Sequence, residues 1–504
     1  MAPQELILSA CSSDPSSSSG RQISTPSIHL HDLLTSGSVQ SFKNSASSSH
    51  SLGYVQSQNG QGAGVFAVQE GKGILNVWAW QKDQMHTKIH LPEKMSCFTV
   101  SPNGLWAVAG SPNGQIYLWE LASGLLLSSF TTHYRSLTSL TFTPDSQILI
   151  STSLDSSTHI FLVSRLIDPE DPATAGKPYG SLTDHTLAVR AVGLGKLAGS
   201  MGGRIWTCSD DGTVKMWSLH PPFALLCTFT LPSGSSPNNL AIDPMERFFY
   251  VSTSQGLVYH IPLFRRKGLP DSASADESYE AVGGSVNGHG SIPLKVEGAV
   301  ISTSTSASTS TSESKVKISI TSMTLSISST TLLIGCSDGT IHLYSLPSHQ
   351  HLRTLSSHSG PITHLSTLLK PVDLLISGGG SSSSGGVKGK VLEEYPIMEI
   401  KNFERMKSQN VKTNHNITIK LPQHHHNATT NSTSSLLSQL DDLRPKRAQS
   451  IGVGAQTQGV EQAQLESLLE ENKRLKSSLE RASQINEKMW NGIIDMKLTT
   501  SNGD

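Results

Sequence analysis

One pattern recurs along residues 1–380 and constrains the fold more than any other feature. It is a short β-rich run, a turn built on Gly, Asp or Asn, then an alternating strand that ends in an aromatic or imidazole side chain. The plainest copies read LWAVAGSPNGQIYLWEL, ILISTSLDSSTHIFLVSRL, RIWTCSDDGTVKMWSL and TLLIGCSDGTIHLYSL; FYVSTSQGLVYHIPL, VFAVQEGKGILNVWAW and TPSIHLHDL are weaker ones. The aligned terminal positions are His31, Trp78, Trp119, Phe161, Trp217, His260 and Tyr344. Most steps between them are near the roughly 40–45 residues of a four-stranded blade. A sheet of that size cannot bury both faces alone, so the copies must stack radially and close on themselves as an all-β propeller. Seven phases are visible. The runs PITHLSTLL and VDLLISGG that follow the seventh either complete the first blade beside ELILSA or begin an eighth.

The long step from His260 to Tyr344 holds a Gly/Ser/Thr-rich stretch, residues 269–314, without apolar alternation, which reads as a disordered insertion. Formal net charge is −1 over 504 residues, so no global basic field exists to hold nucleic acid by counterion release. RNA contact is therefore expected to be indirect or weak. The cysteines, Cys11, Cys97, Cys208, Cys227 and Cys336, form no C-x-x-C and read as small buried thiols rather than disulfides or zinc ligands. No apolar run approaches the roughly 18 residues that a spanning helix needs, and no membrane contact is expected.

The blades resemble those of the WD-repeat family. In that family an Asp six residues before the terminal Trp joins a loop His, a strand Ser or Thr and the Trp in a hydrogen-bond network. The resemblance carries those roles onto His185, Ser209, Asp211 and Trp217 as the fullest set, with His133 and Asp155, then Asp338 with Tyr344, as weaker ones, and Trp119 as the third blade's aromatic. Asn113, Ser254 and Lys72 replace the Asp elsewhere. Ser, His and Asp together also suggest a hydrolase triad. The same set recurs at fixed spacing in several copies, as scaffolding would and a single active site would not.

Residues 381–457 turn polar and read as a low-complexity linker. Its tract His424, His425, His426 has no further convergent ligands and is read as polar, not metal-binding. Arg444, Lys446 and Arg447 form a short basic cluster that suits either nuclear import or plain solvation. The run Phe264–Lys267 suits contact with phosphates or an acidic partner, the plainer reading being a solvated loop. Residues 458–498 change character again: Leu465, Leu468, Asn472, Leu475, Leu479 and Met489 keep the alternating 3,4 spacing of a coiled-coil seam. Asn472 at an a-type position favours a two-stranded parallel homodimer, the other reading being a single helix docked on a partner.

No catalytic machinery is legible, and no cofactor is expected. GLGKLAG lacks phosphate-loop spacing, and no H-E-x-x-H or nucleophile elbow occurs. Residues 94–168 are more specific. The run SPNG…GQIYLWEL, the strand entry HYRSLTSL and the LI.D that follows resemble the WD-repeat subunit of the nuclear complex that removes internal transcribed spacer two from the large-subunit ribosomal precursor. That resemblance implies a nuclear, non-catalytic scaffold beside a helical-repeat protein and a large remodelling ATPase. An adaptor in a ubiquitin-ligase, signalling or coat complex is the competing reading, and it needs a docking motif that the sequence does not contain.

Overall fold

Alternating apolar residues on short strands, punctuated by turns every five to ten residues, produce the expected all-β architecture. The structure, a computed structural model, describes residues 4–12, 28–42, 46–56, 64–80, 82–167, 176–195, 203–232, 234–267, 278–281, 294–296, 298–305, 316–356, 358–371, 374 and 400–406. All of them belong to one compact unit, residues 1–420. The histidine tract, the basic cluster of Arg444, Lys446 and Arg447, and the seam from Leu465 to Met489 lie outside the described residues.

Seven sheets form the blades of a propeller, each with four antiparallel strands and one of them with a short fifth, parallel strand at its edge. Their innermost strands are, in ring order, Ile362–Leu369, Ser47–Val55, Cys97–Val100, Leu137–Phe142, Val189–Leu194, Pro237–Ile242 and Ile320–Leu325. Blade 1 is made from both ends of the repeat region. Ile362–Leu369 pairs with Glu5–Cys11, which continues to Ile28–Asp32 and Ser38–Phe42. PITHLSTLL thus completes the first blade, and the count is seven. Closure buries the apolar faces that the two end blades of a linear array would expose.

Each blade contributes one face to the interface before it and one to the interface after it, a consequence of the two-residue side-chain period of a strand. In blade 5, Ile205, Trp217 and Leu219 pack with Ile148, Ile150 and Ile160 of blade 4. Trp206, Cys208 and Val214, one residue out of phase, pack with Phe249, Val251 and Ile261 of blade 6. The cysteines are all free and buried. Burial pushes the thiols of Cys97, Cys208 and Cys336 up to about 12, leaving them inert as nucleophiles.

Three findings correct the sequence reading. Blade 6 presents Ile261, not His260, at the position of Trp217. Phe249 pairs with Ile261 as Ile205 pairs with Trp217, and Gly256 aligns with Gly212, so Gln255 stands where Asp211 does. His260 is one residue out of register, against Tyr250 and His349 on the other face. The insertion 269–314 is not wholly outside the blades. Ile301–Ser302 is the fourth strand of blade 6, and Leu294–Lys295 adds to the edge of blade 5. Strands of two residues carry no legible period. Finally, residues 400–406 of the expected linker pack on the propeller, with Phe403 buried among blade 2 and blade 3 side chains.

The stretch that carried the family resemblance also has a distinct structure. A single helical turn, Val163–Ile167, follows the third strand of blade 4 and buries Val163, Leu166 and Ile167.

Candidate functional site

In blade 5 the loop histidine lies four residues before the inner strand and turns its imidazole into the sheet. His185 Nδ1 lies 2.9 Å from Asp211 Oδ2, and Nε2 lies 2.8 Å from Thr207 Oγ1. Because a carboxylate only accepts, Nδ1 carries a proton, and in the neutral imidazole Nε2 accepts from the threonine hydroxyl. Thr207 Oγ1 in turn accepts from Trp217 Nε1 at 3.0 Å. The hydroxyl in the chain is therefore Thr207, not Ser209. Ser209 donates to Leu187 O and accepts the Asp211 N–H, closing the turn. Both residues lie on the same face of one strand, and only Thr207 is bonded to the imidazole.

Blade 4 repeats the arrangement. His133 Nδ1 is 3.0 Å from Asp155 Oδ2, and Nε2 is 2.8 Å from Ser151 Oγ, which occupies the position of Thr207. Phe161 replaces the Trp, so the chain ends at the serine. The backbone N–H groups of Tyr134 and Thr186, each next to its histidine, also donate to the two aspartates. Burial alone would raise the carboxyls of Asp155 and Asp211. Hydrogen bonds from His133 and Ser157, and from His185 and Thr213, outweigh it and hold both well below the usual carboxylate range.

A third, partial copy, in which the histidine Nδ1 meets no aspartate, was missed in the sequence. His358 also precedes an inner strand by four residues, and its Nε2 lies 2.8 Å from Ser9 Oγ, 349 positions away. Ser9 stands where Thr207 and Ser151 do, opposite the strand that carries His31. The spacing to Ile362, matching His133 to Leu137 and His185 to Val189, was the available signal. Burial lowers the His358 imidazole to about 3, helped by the neighbouring His29 and His31. In the remaining blades the hydroxyl position holds Ala67, Ala109, Val251 and Ile334, and no loop histidine reaches it.

Blade 7 does not form the set read for it. Asp338 accepts from the N–H and hydroxyl of Thr340, closing its own turn, and Tyr344 packs against His342 and His351 instead. Blade 3 uses other groups. Glu93, at the loop-histidine position, accepts from Tyr117 OH at 2.9 Å and from Asn113 Nδ2 at 3.3 Å. Ala109 offers Trp119 no hydroxyl, so its Nε1 donates to Glu404 O at 2.9 Å. Phe403 stacks on the same indole with ring centroids 5.2 Å apart, and Glu404 N–H donates to Gly124 O. No sequence period marks this seven-residue clasp; the only cue was Ile400 and Phe403 in a polar stretch.

The triad-like geometry of His133, Ser151 and Asp155 does not make a nucleophile. Ser151, Thr207 and Ser9 have no exposed surface, and a hydroxyl at that depth meets no substrate. The exposed elements are the loops the networks hold: Tyr134, beside His133, is 98% exposed. The innermost strands also line a central cavity of about 750 Å³, among whose residues are Tyr54, Thr141, Ile242, Thr324 and His364. Among the described residues no group of three or more His, Cys, Asp or Glu side chains could hold a metal ion.

Seven blades in this topology, two of them tied by histidine–aspartate–hydroxyl chains, define a WD-repeat β-propeller. The WD domain, G-beta repeat model matches residues 84–120, 124–161 and 176–218, each spanning the outer strand of one blade and the first three of the next. Among curated proteins the chain is similar to Pre-rRNA-processing protein IPI3 of Mycosarcoma maydis, 29% identical over 88% of each chain. It is also similar to Pre-rRNA-processing protein crb3/ipi3 of Schizosaccharomyces pombe, 26% identical over 72% of this chain and 77% of that one. WD repeat-containing protein 18 of Homo sapiens is 28% identical over 62% of this chain and 64% of its own.

Proposed function

We propose that this chain is a non-catalytic WD-repeat scaffold that takes part in processing precursor ribosomal RNA. The observation that carries the reading is the similarity to a pre-rRNA-processing protein along 88% of both chains, well beyond the three matched repeats. The full burial of Ser151 and Thr207, the hydroxyls that meet the histidine Nε2 atoms, supports a binding rather than a chemical role. On this reading the protein works in the nucleus, beside a helical-repeat protein and a large remodelling ATPase on the large-subunit precursor. It contacts RNA weakly or through those partners, in keeping with its net charge of −1. His185, Asp211, Trp217, His133 and Asp155 serve to hold loops in place, and Arg444, Lys446 and Arg447 supply an import signal.

Depletion of the protein in its native cells tests the reading. Spacer-containing ribosomal RNA precursors are expected to accumulate, and normal precursor levels after thorough depletion would reject the proposal. Residues 458–498 are proposed to pair two copies through Leu465, Leu468, Asn472, Leu475, Leu479 and Met489. Light scattering on the full chain should give a dimer mass that Leu475→Pro reduces to the monomer. Equal masses for both would leave the segment as a docking helix.

A further inference from the structure

The clasp on blade 3 shows what kind of ligand a blade junction of this ring accepts. Residues 400–406 lie on the junction of blades 2 and 3 without regular secondary structure, with Phe403 as an apolar anchor on Trp119. The backbone of Glu404 makes a donor–acceptor pair with Gly124 O and Trp119 Nε1. Phe403, Glu404 and Arg405 place an acidic and a basic group directly after the anchor.

The junction of blades 7 and 1 has the same backbone framework, which recurs around the ring, with His31 at the position of Trp119. In blade 3, Leu121 N–H donates to Leu105 O and Gly124 N–H to Glu120 O; in blade 1, Leu33 N–H donates to Glu5 O and Ser36 N–H to Asp32 O. Leu343 precedes Tyr344 in blade 7 as Val77 precedes Trp78 in blade 2. Here the described residues leave a groove of about 390 Å³, lined by Leu33, Leu34, Leu343 and Leu352 with Glu5 and Arg353 at its sides. Leu34 is 73% exposed and Leu352 54%, a large apolar exposure for two leucines facing one groove.

The polar groups specify the rest. Glu5 Oε1 accepts from Ser328 N–H, while Oε2 is buried and has no hydrogen-bond partner. A buried carboxylate oxygen without a donor costs free energy that an incoming N–H recovers. Arg353 reaches Leu34 O and Ser36 Oγ through one nitrogen of its planar fork, which has further donors to offer. We propose that this groove binds a short extended segment of another protein. The segment places one large apolar side chain between Leu34 and Leu352, an acidic group at Arg353 and an N–H or basic donor at Glu5. Residues 400–406 have that chemistry, but this chain's own copy is seated on blade 3.

The soluble peptide MEIKNFERMK (residues 398–407), labelled with fluorescein, is the probe, titrated against the full chain by anisotropy. One saturable site per wild-type chain is expected, because the blade 3 site is filled by its own segment. Leu34→Asp, Leu352→Asp and Arg353→Glu should each weaken binding at least tenfold. Their side chains are exposed, and unchanged melting curves would establish that the ring is intact. Phe403→Ala should raise the stoichiometry to two. Absence of saturable binding to the wild-type chain overturns the proposal. So does binding that ignores both leucine variants, or that appears only in Phe403→Ala, since either assigns the peptide to blade 3. A concentration-dependent mass lost in Leu352→Asp would make the occupant a second copy and overturn it equally.

Discussion

A chain ending at residue 356 should lose the cooperative thermal transition that a chain ending at residue 407 retains. The difference between them includes Ile362–Leu369, the inner strand of blade 1. Ile362 and Leu368 are essentially inaccessible and Leu365 nearly so. At about 1.5–3 kcal/mol for each fully buried side chain, these three contribute about 5–9 kcal/mol. The whole stability of a folded domain is of the order of 5–15 kcal/mol. The strand also links three blades: Thr363 Oγ1 lies 3.1 Å from Ser47 Oγ in blade 2, and Thr367 Oγ1 donates to Leu325 O in blade 7. Removing it opens the ring and leaves the Glu5–Cys11 strand with an unpaired edge. Circular dichroism melts of the two chains make the comparison. Equal midpoints would mean that the ring does not depend on this closure.

The second large effect is expected at the blade 5 network. Trp217→Ala should destabilise the propeller by about 3–5 kcal/mol, because the indole is buried in the core between blades 4 and 5 and its removal leaves a cavity there. Asp211→Ala should cost about 1–3 kcal/mol, leaving the buried His185 Nδ1–H without its acceptor. Asp338→Ala should cost less than either, about 0.5–1.5 kcal/mol, since its carboxylate satisfies only the adjacent Thr340 at an exposed turn. Denaturant titrations of the three variants give the order. An Asp338 effect as large as that of Trp217 would refute the assignment of distinct roles to the two blades.

These expectations divide along the range of the interactions. Sheet period, turn chemistry and the placing of Trp78, Trp119, Phe161, Trp217 and Tyr344 were legible because each depends on residues a few positions apart. The closing partnership of PITHLSTLL with ELILSA was legible as one of two options, since both runs have the same pattern and neither names its neighbour. Blade 6 was misregistered for a related reason. With Gln at the Asp position and Ile at the Trp position, nothing marked the core position itself, and His260 stood one residue away from it.

What the sequence by itself determined is therefore the repeat, its all-β character and the residue types available to each blade. Tertiary structure alone decided which of them meet. Thr207 rather than Ser209 answers His185 because strand twist and loop path bring one of two like-facing hydroxyls to the imidazole. His358 finds Ser9 only because the ring closes, joining positions 349 residues apart. Trp119 takes Glu404 because Ala109 leaves its N–H without an acceptor and a passing segment offers one. A hydrogen bond is satisfied by distance and direction, and across hundreds of residues neither is written in local pattern.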